Sequence, residues 1–393
     1  MAHFVKFASL SWWACYDFAM TSEPANLFIE NGNALVYYAF DIGSSIDMDK
    51  AELIAVPSKP NPTQEKKRQA KYFEFTPPPI RLVEEAPLIQ IGPRFSTVST
   101  VGVLLFDFGC ISVRFQIPIS GPVSDIIQLS SDLYEHPRLR DAAKKIASEL
   151  IERFRKAIDR PGLEPKIEDY LIFHFQKVNP EQTPANLLKN HIVPLTGILR
   201  AESDLPSDRE ILEILNDRIS YGSKDVTLIS WYSAVVYGDN AEDIYAVLEF
   251  ANLVLMELSF LDTRLDKSLD EFYDRFTEQQ QNRFQFSLRS KKAQLRRISQ
   301  LQIDSAISFE RITNALKLMG DDFQARVFQL ASRKMGLTLW DASISRKLQT
   351  IESLYDKLSD SEGSRRMEMM EIVIILLITL SILMPILFPR LGH

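Results

Sequence analysis

The sequence predicts an α+β N-terminal domain followed by an α-helical bundle or coiled-coil region and one C-terminal transmembrane helix. Three observations predict it. Strand-like and helix-like stretches alternate without regular βαβ spacing as far as residue 238. From Ala241 to Asp360 there is no proline, and glycine occurs only at Gly320 and Gly336. Finally, Ile372–Phe388 reads IVIILLITLSILMPILF, a run without a charge. The expected divisions are 1–238 for the α+β domain, with a proline-rich insertion at 57–94, then 241–363 for the helices and 364–390 for the anchor.

Taken in order, Phe4–Phe7 and the clearer Ala34–Phe40 (ALVYYAF) read as strands. The second leads into a short helix to about Val56, with Ser45 or Asp47 as its cap. Residues 57–94 hold eight of the twenty prolines and are expected to form an exposed loop. The PPP at 77–79 and the polar run NPTQEKKRQAK can neither pair in a sheet nor continue a helix. Val101–Phe106, almost wholly apolar, and the alternating Ile111–Ile117 read as two strands about Asp107–Phe108–Gly109. One long helix is expected from about Ser124 to Asp159, ended by Arg160–Pro161–Gly162. Asp169–Val178 is another strand, followed by helical pieces near 185–201 and 207–218 and a single strand from Val226 to Tyr237. Beyond Gly238 the two glycines divide the chain into helices at about 241–283, 285–319, 321–335 and 338–360. Leu258, Leu261, Leu265, Phe272 and Phe276 recur at steps of three, four or seven, which stacks them on one stripe. Helices of this length need each other's apolar faces, so a hairpin or bundle is expected.

The uncharged run would span roughly 25 Å as a helix, a little less than the hydrocarbon core. Ile372, Leu376, Leu380, Leu383 and Phe388 are its anchoring residues, and Pro385 falls near its end, where a lost backbone bond costs least. Arg365 and Arg366 precede it, with only Arg390 after it. Basic residues stay on the cytoplasmic side, so the N-terminal bulk is expected to face the cytoplasm. The membrane would be a bacterial inner membrane or an organellar equivalent. The N-terminal MAHFVKFASLSWWACYDFAM has neither a charged n-region before a clean apolar stretch nor the Arg-rich character of a transit peptide. Such a chain is expected to be single-pass and tail-anchored.

Forty-five Lys and Arg against 52 Asp and Glu leave a net charge of −7, which excludes a generic nucleic-acid coating protein. Cys15 and Cys110 cannot build a disulfide framework, so a reducing compartment is the default. The chain contains no GxGxxG, GxxxxGK[ST], HExxH, GxSxG, SxxK or ExxH. No catalytic, cofactor-binding or metal-ligating residue is therefore assigned, and the chain is read as a non-enzyme without a cofactor. His174 reads as a satisfied structural histidine in mid-strand. Cys110, with no cation near it in sequence, reads as a small apolar residue. Pairs such as Glu242/Asp243 read as solvated helix faces. Between Gln279 and Ile303 stand Arg283, Arg289, Lys291, Lys292, Arg296 and Arg297, with no acidic residue. Ala241–Glu278 carries ten acidic residues against three basic. Either two antiparallel helices complement each other's charge, or the basic tip (Arg283, Arg289, Lys292, Arg296, Arg297) touches phosphate in lipid headgroups or RNA.

Several stretches together carry a family resemblance: LQTIESLYDKLSD followed by SRRMEMMEIVIILLITL, LLFDFGCISVRF (Leu104–Phe115), YYAFDIGSSIDMDKAELI (Tyr37–Ile54) and, more loosely, MGLTLWD (Met335–Asp341). They resemble the "required for meiotic nuclear division protein 1" family. In that family an acidic-aromatic helix ends in Leu-Glu-Trp before an isoleucine-rich span, a strand–Asp–aromatic–Gly–strand hairpin precedes it, and a strand leads into a helix near the N-terminus. Met367–Glu368–Met369 stands where Leu-Glu-Trp is usual, and the proline-rich insertion is a further departure. The resemblance implies a membrane-tethered, non-enzymatic protein; the mitochondrial member supports organellar translation and holds ribosomes near the inner membrane. It supplies no catalytic residue. The expected function is thus a scaffold or adaptor at a membrane, a homo-oligomer through its helices, tethering a ribosome or another large assembly. The alternatives are a membrane-bound enzyme with its site in the α+β domain, and a membrane-proximal RNA-binding protein.

Overall fold

A computed structural model describes residues 27–55, 77–239, 241–281, 303 and 322–353. The chain divides into two compact units, Met1–Phe260 with Arg311–Trp340, and Leu261–Glu310 with Asp341–His393.

The first unit is built on a mixed seven-stranded sheet. Its strands are β1 (Phe28–Asp41), β3 (Ile80–Glu85), β6 (Thr100–Leu105), β7 (Cys110–Pro122), β9 (Ile167–Asn179), β10 (Val226–Ile229) and β11 (Ser233–Tyr237). Four short strands form two separate pairs: β2 (Ser45–Ile46) with β8 (Ile158–Asp159), and β4 (Gln90–Ile91) with β5 (Phe95–Ser96). The order across the sheet is β10-β11-β9-β1-β7-β6-β3. All its ladders are antiparallel except β11 on β9, which is parallel. β1, at the centre, is buried on both faces from Ala34 onwards, which is why ALVYYAF is nearly unbroken apolar sequence.

Helices α1 (Met48–Ala55), α2 (Val123–Leu133), α3 (Pro137–Phe154), α4 (Pro184–Arg200) and α5 (Asp208–Asn216) share one continuous apolar core with one face of the sheet. Ala34, Val36, Tyr38 and Phe40 of β1 meet Ala51, Leu129, Leu150, Leu195 and Ile211 in that core. The other face lies under the part of α6 (Glu242–Gln281) that ends at Phe260 and under α7 (Asp322–Lys334). There the ring of Phe250 lies 6.4 Å from Phe106 and 6.1 Å from Phe328. In the second unit Lys347, on the helical stretch 337–353, bridges Asp262 and Asp266 at 2.7 and 2.6 Å. Leu261 and Leu265, from the expected stripe, are buried there, as Leu258 is in the first unit.

Three expectations need correction. The long helix at 124–159 is two helices, because Pro137 cannot donate the backbone bond that would continue α2 and instead occupies the first turn of α3. Glu135 takes a left-handed conformation at the break, and the His136 ring caps α3 by accepting from the amide of Leu139 at 3.3 Å. The stretch 226–237 is a hairpin, not one strand. Leu171 N donates to Tyr232 O at 3.1 Å as the chain turns back, so only β11 runs beside β9. The proline-rich region is not all loop: after Pro79 the alternation of Ile80 and Leu82 inward forms the edge strand β3 on β6. The strand expected at Phe4–Phe7 and the helix expected at 285–319 lie outside the described residues.

Among the described residues one helix is long and apolar enough to cross a membrane. It is Glu242–Glu271 within α6, with a mean hydropathy of 1.7, and 83% of its apolar window is buried inside the protein. The C-terminal run 372–388 lies outside the described residues.

Candidate functional site

The strongest concentration of chemistry lies beneath α6. Alternation along the strands points one set of side chains at this helix, and the ladders set them side by side. Asp41 stands across from Cys110, Ala39 from Ser112 and Tyr37 from Arg114 between β1 and β7. On the other side of β1, Ala39 pairs with Glu168 and Asn33 with His174 on β9. From α6 the facing residues are Tyr245, Glu249, Asn252, Glu257 and Ser259, all buried. A helix that is apolar by composition thus carries a polar seam on its inner side, and the sheet answers it group for group.

Four contacts define the seam. At its start, His174 Nε2 lies 2.6 Å from the carbonyl oxygen of Gly238, and Nδ1 is hydrogen-bonded to the Tyr245 hydroxyl, the rings meeting edge to face. Next, Arg114 lies among Tyr37, Glu249 and Glu242; burial works against its charge, but these neighbours hold it protonated. Further along, Asn252 Nδ2 donates to the Glu168 carbonyl, and Ser259 Oγ donates to the Glu168 carboxylate, both at 3.3 Å. At the far end the Cys110 thiol donates to an oxygen of the Glu257 carboxyl.

Burial sets the protonation of these groups. It raises the pKa of Glu249, against the pull of Arg114, and of Glu168, against Lys166. Burial and then the charge of Asp41 push Glu257 up to about 8. The Cys110 thiol is pushed well up, chiefly by burial, so it is no nucleophile at neutral pH. Desolvation lowers His174 and holds it neutral. The arrangement can orient a helix and store protons. Its groups are buried and face one another between sheet and helix.

A second feature is an open groove of about 610 Å³ at the β2–β8 end, lined by Asp47, Lys50, Asp107 and Lys156 among others. Lys50 and Asp47 pair with each other at 2.8 Å. Among the described residues no group of three or more His, Cys, Asp or Glu could hold a metal ion.

Ile372, Leu376, Leu380, Leu383, Phe388, Arg365, Arg366, Arg283, Arg289, Lys292, Arg296 and Arg297 lie outside the described residues. His174 does sit buried in mid-strand with both ring nitrogens engaged. Cys110 is buried in a strand, but its neighbour is the carboxyl of Glu257, 147 residues away. The sequence reading missed the seam altogether. Its one available signal was the polar spacing Tyr245, Glu249, Asn252 and Ser259 inside an otherwise apolar helix.

Fold and seam together define an α+β domain whose sheet is closed on both faces by helices. Residues 31–243 match the family described as uncharacterized protein MJ0711, N-terminal domain, and the chain belongs to that family. A curated relative, uncharacterized protein MJ0711 of Methanocaldococcus jannaschii, is 22% identical over 214 residues. The match covers 54% of this chain and 63% of that protein, so the chain spans less than two thirds of the relative's length. No solved structure matches the chain. The name suggested by the short motifs is not what these comparisons support; they support an uncharacterised family. The family segment holds the strand side of the seam, from Tyr37 to His174, and ends at Asp243, before Tyr245, Glu249 and Glu257.

Proposed function

We propose that the protein is a non-enzymatic, membrane-tethered scaffold whose N-terminal bulk faces the cytoplasm and holds a large assembly, such as a ribosome, at the membrane. The observation that carries this reading is the uncharged run Ile372–Phe388 behind Arg365 and Arg366. The geometry of the first unit supports it from another side: the ionisable groups beneath α6 are engaged with one another inside a packed core. The motif resemblance to a family of membrane-tethered proteins in translation gives the choice of partner. The helical region, with its basic stretch Arg283–Arg297, is the proposed contact and oligomerisation surface.

The test is purification of the full chain from native membranes in mild detergent, with and without nuclease, and mass spectrometry of what accompanies it. Ribosomal proteins that persist after nuclease are the expected result. Their loss with nuclease would move the contact to RNA. Recovery of the protein alone would remove the scaffold reading and turn attention to the open groove between β2 and α1 as a ligand site.

A further inference from the structure

We propose that His174 is an acid-sensitive latch that fastens the start of α6 to the sheet. The ring sits on β9 between two uncharged cross-strand neighbours, Asn33 on β1 and Val236 on β11. It is 2% exposed, so water does not serve its nitrogens. Its two partners both lie on the path from the sheet into α6: the carbonyl of Gly238, where β11 has ended, and the hydroxyl of Tyr245, in the first turn of the helix. A single imidazole therefore joins β9, the connection after β11, and α6.

The chemistry of the two partners fixes the tautomer. A carbonyl oxygen can only accept, so Nε2 carries the hydrogen. Nδ1 is then the acceptor, and Tyr245 donates to it. The phenol is held firmly in its protonated form by burial. A second proton on the ring would occupy Nδ1, and two donors would face each other. The Tyr245 hydroxyl would have to turn its hydrogen elsewhere in a buried site or move away, which leaves a polar group unpaired. The charged groups around the ring are Glu242 and Asp239, both of which favour the imidazolium, while Arg114 acts on Tyr245. Burial outweighs the two carboxylates, so the ring is neutral at pH 7 and takes its proton below the ordinary histidine range. Acid then releases the first turns of α6, whereas the deeper contacts at Glu249 and Asn252 do not involve the ring.

Hydrogen exchange on the full chain in mild detergent, at pH 7.5 and 5.0 and corrected for intrinsic rates, tests this. Acid should speed exchange in residues 241–250 about tenfold, while residues 36–40 of β1 keep their protection. His136 and His191 would report in 137–142 and 184–200 instead, which separates their effects from that of His174. His174→Gln keeps a donor for Gly238 and an acceptor for Tyr245 but cannot titrate, so its 241–250 segment should hold its protection at pH 5.0. An unchanged wild-type segment overturns the proposal, and so does an equal loss in His174→Gln. Where that variant fails to fold, Tyr245→Phe replaces it: the segment should already exchange faster at pH 7.5, with less than half of the wild-type acid response. An undiminished response in that variant overturns the latch.

Discussion

Glu257 keeps its proton at neutral pH because ionising it would place a carboxylate in a buried site beside Asp41. Its pKa of about 8 in the folded chain stands well above the ordinary glutamate value, so folding binds a proton there that the unfolded chain releases. The stability that this proton supports is fully present below about pH 4.5. It is lost progressively as pH rises through 8. Glu257→Gln keeps an acceptor for the Cys110 thiol and removes the titration. Between pH 5 and 9 the wild type should lose stability relative to the variant, by on the order of a few kcal/mol, in urea unfolding at a series of pH values. A difference that stays constant across that range would show that Glu257 ionises normally. His174 acts in the opposite direction, since its lowered pKa penalises the fold as pH falls, so the two groups oppose each other in mild acid and above the ordinary histidine range only the Glu257 loss remains.

At the scale of elements, the hairpin of β6 and β7 shows what a turn can enforce. Gly109 closes it at φ +93°, and a Cβ there would fall 1.8 Å from the carbonyl oxygen of Gly43, far inside any permitted contact. The same turn accepts from the residue that follows β1, Ile42 N donating to Gly109 O at 2.9 Å. Gly109→Ala should therefore cost about 2 kcal/mol or more, because backbone on both sides of the contact must shift. Chemical denaturation checks this; a loss below about 0.5 kcal/mol would mean that the turn relaxes freely. This hairpin was legible in the sequence, as were β1, α1, α4 and α5, since local caps, prolines and periodicity set them. The seam was not. Asp41, Ser112, Arg114, Glu168 and His174 alternate with apolar residues as they would on a strand with one wet face, and Glu249 and Glu257 resemble a solvated side of a helix. Periodicity reports that a face is polar; whether water or another polar face covers it depends on residues 71 to 147 positions away. The break before α3 was legible in principle, because Pro137 stands in plain view, but an apolar pattern that continues across it disguised two helices as one.

At the scale of the whole molecule, two segments are apolar enough to cross a membrane: Glu242–Glu271 of α6 and, by sequence, Ile372–Phe388. Their inner chemistry separates them. Moving α6 into lipid would carry Glu249, Asn252 and Glu257 with it, at about 2–3 kcal/mol for each carboxyl at the bilayer centre. It would also strip Arg114 and His174 of their partners on the sheet and expose the rings of Phe106 and Phe328. The C-terminal run carries no such groups. Removal of residues 364–393 should therefore release the protein into the soluble fraction with its far-ultraviolet dichroism and the protection of β1 intact. The full chain should stay with membranes through a carbonate wash. If the truncated chain remains in washed membranes, a segment other than 372–388 holds it there, and α6 becomes the first to test. If the full chain washes off, the run at 372–388 is not an anchor, and the tether fails while the α+β domain and its seam stand unchanged.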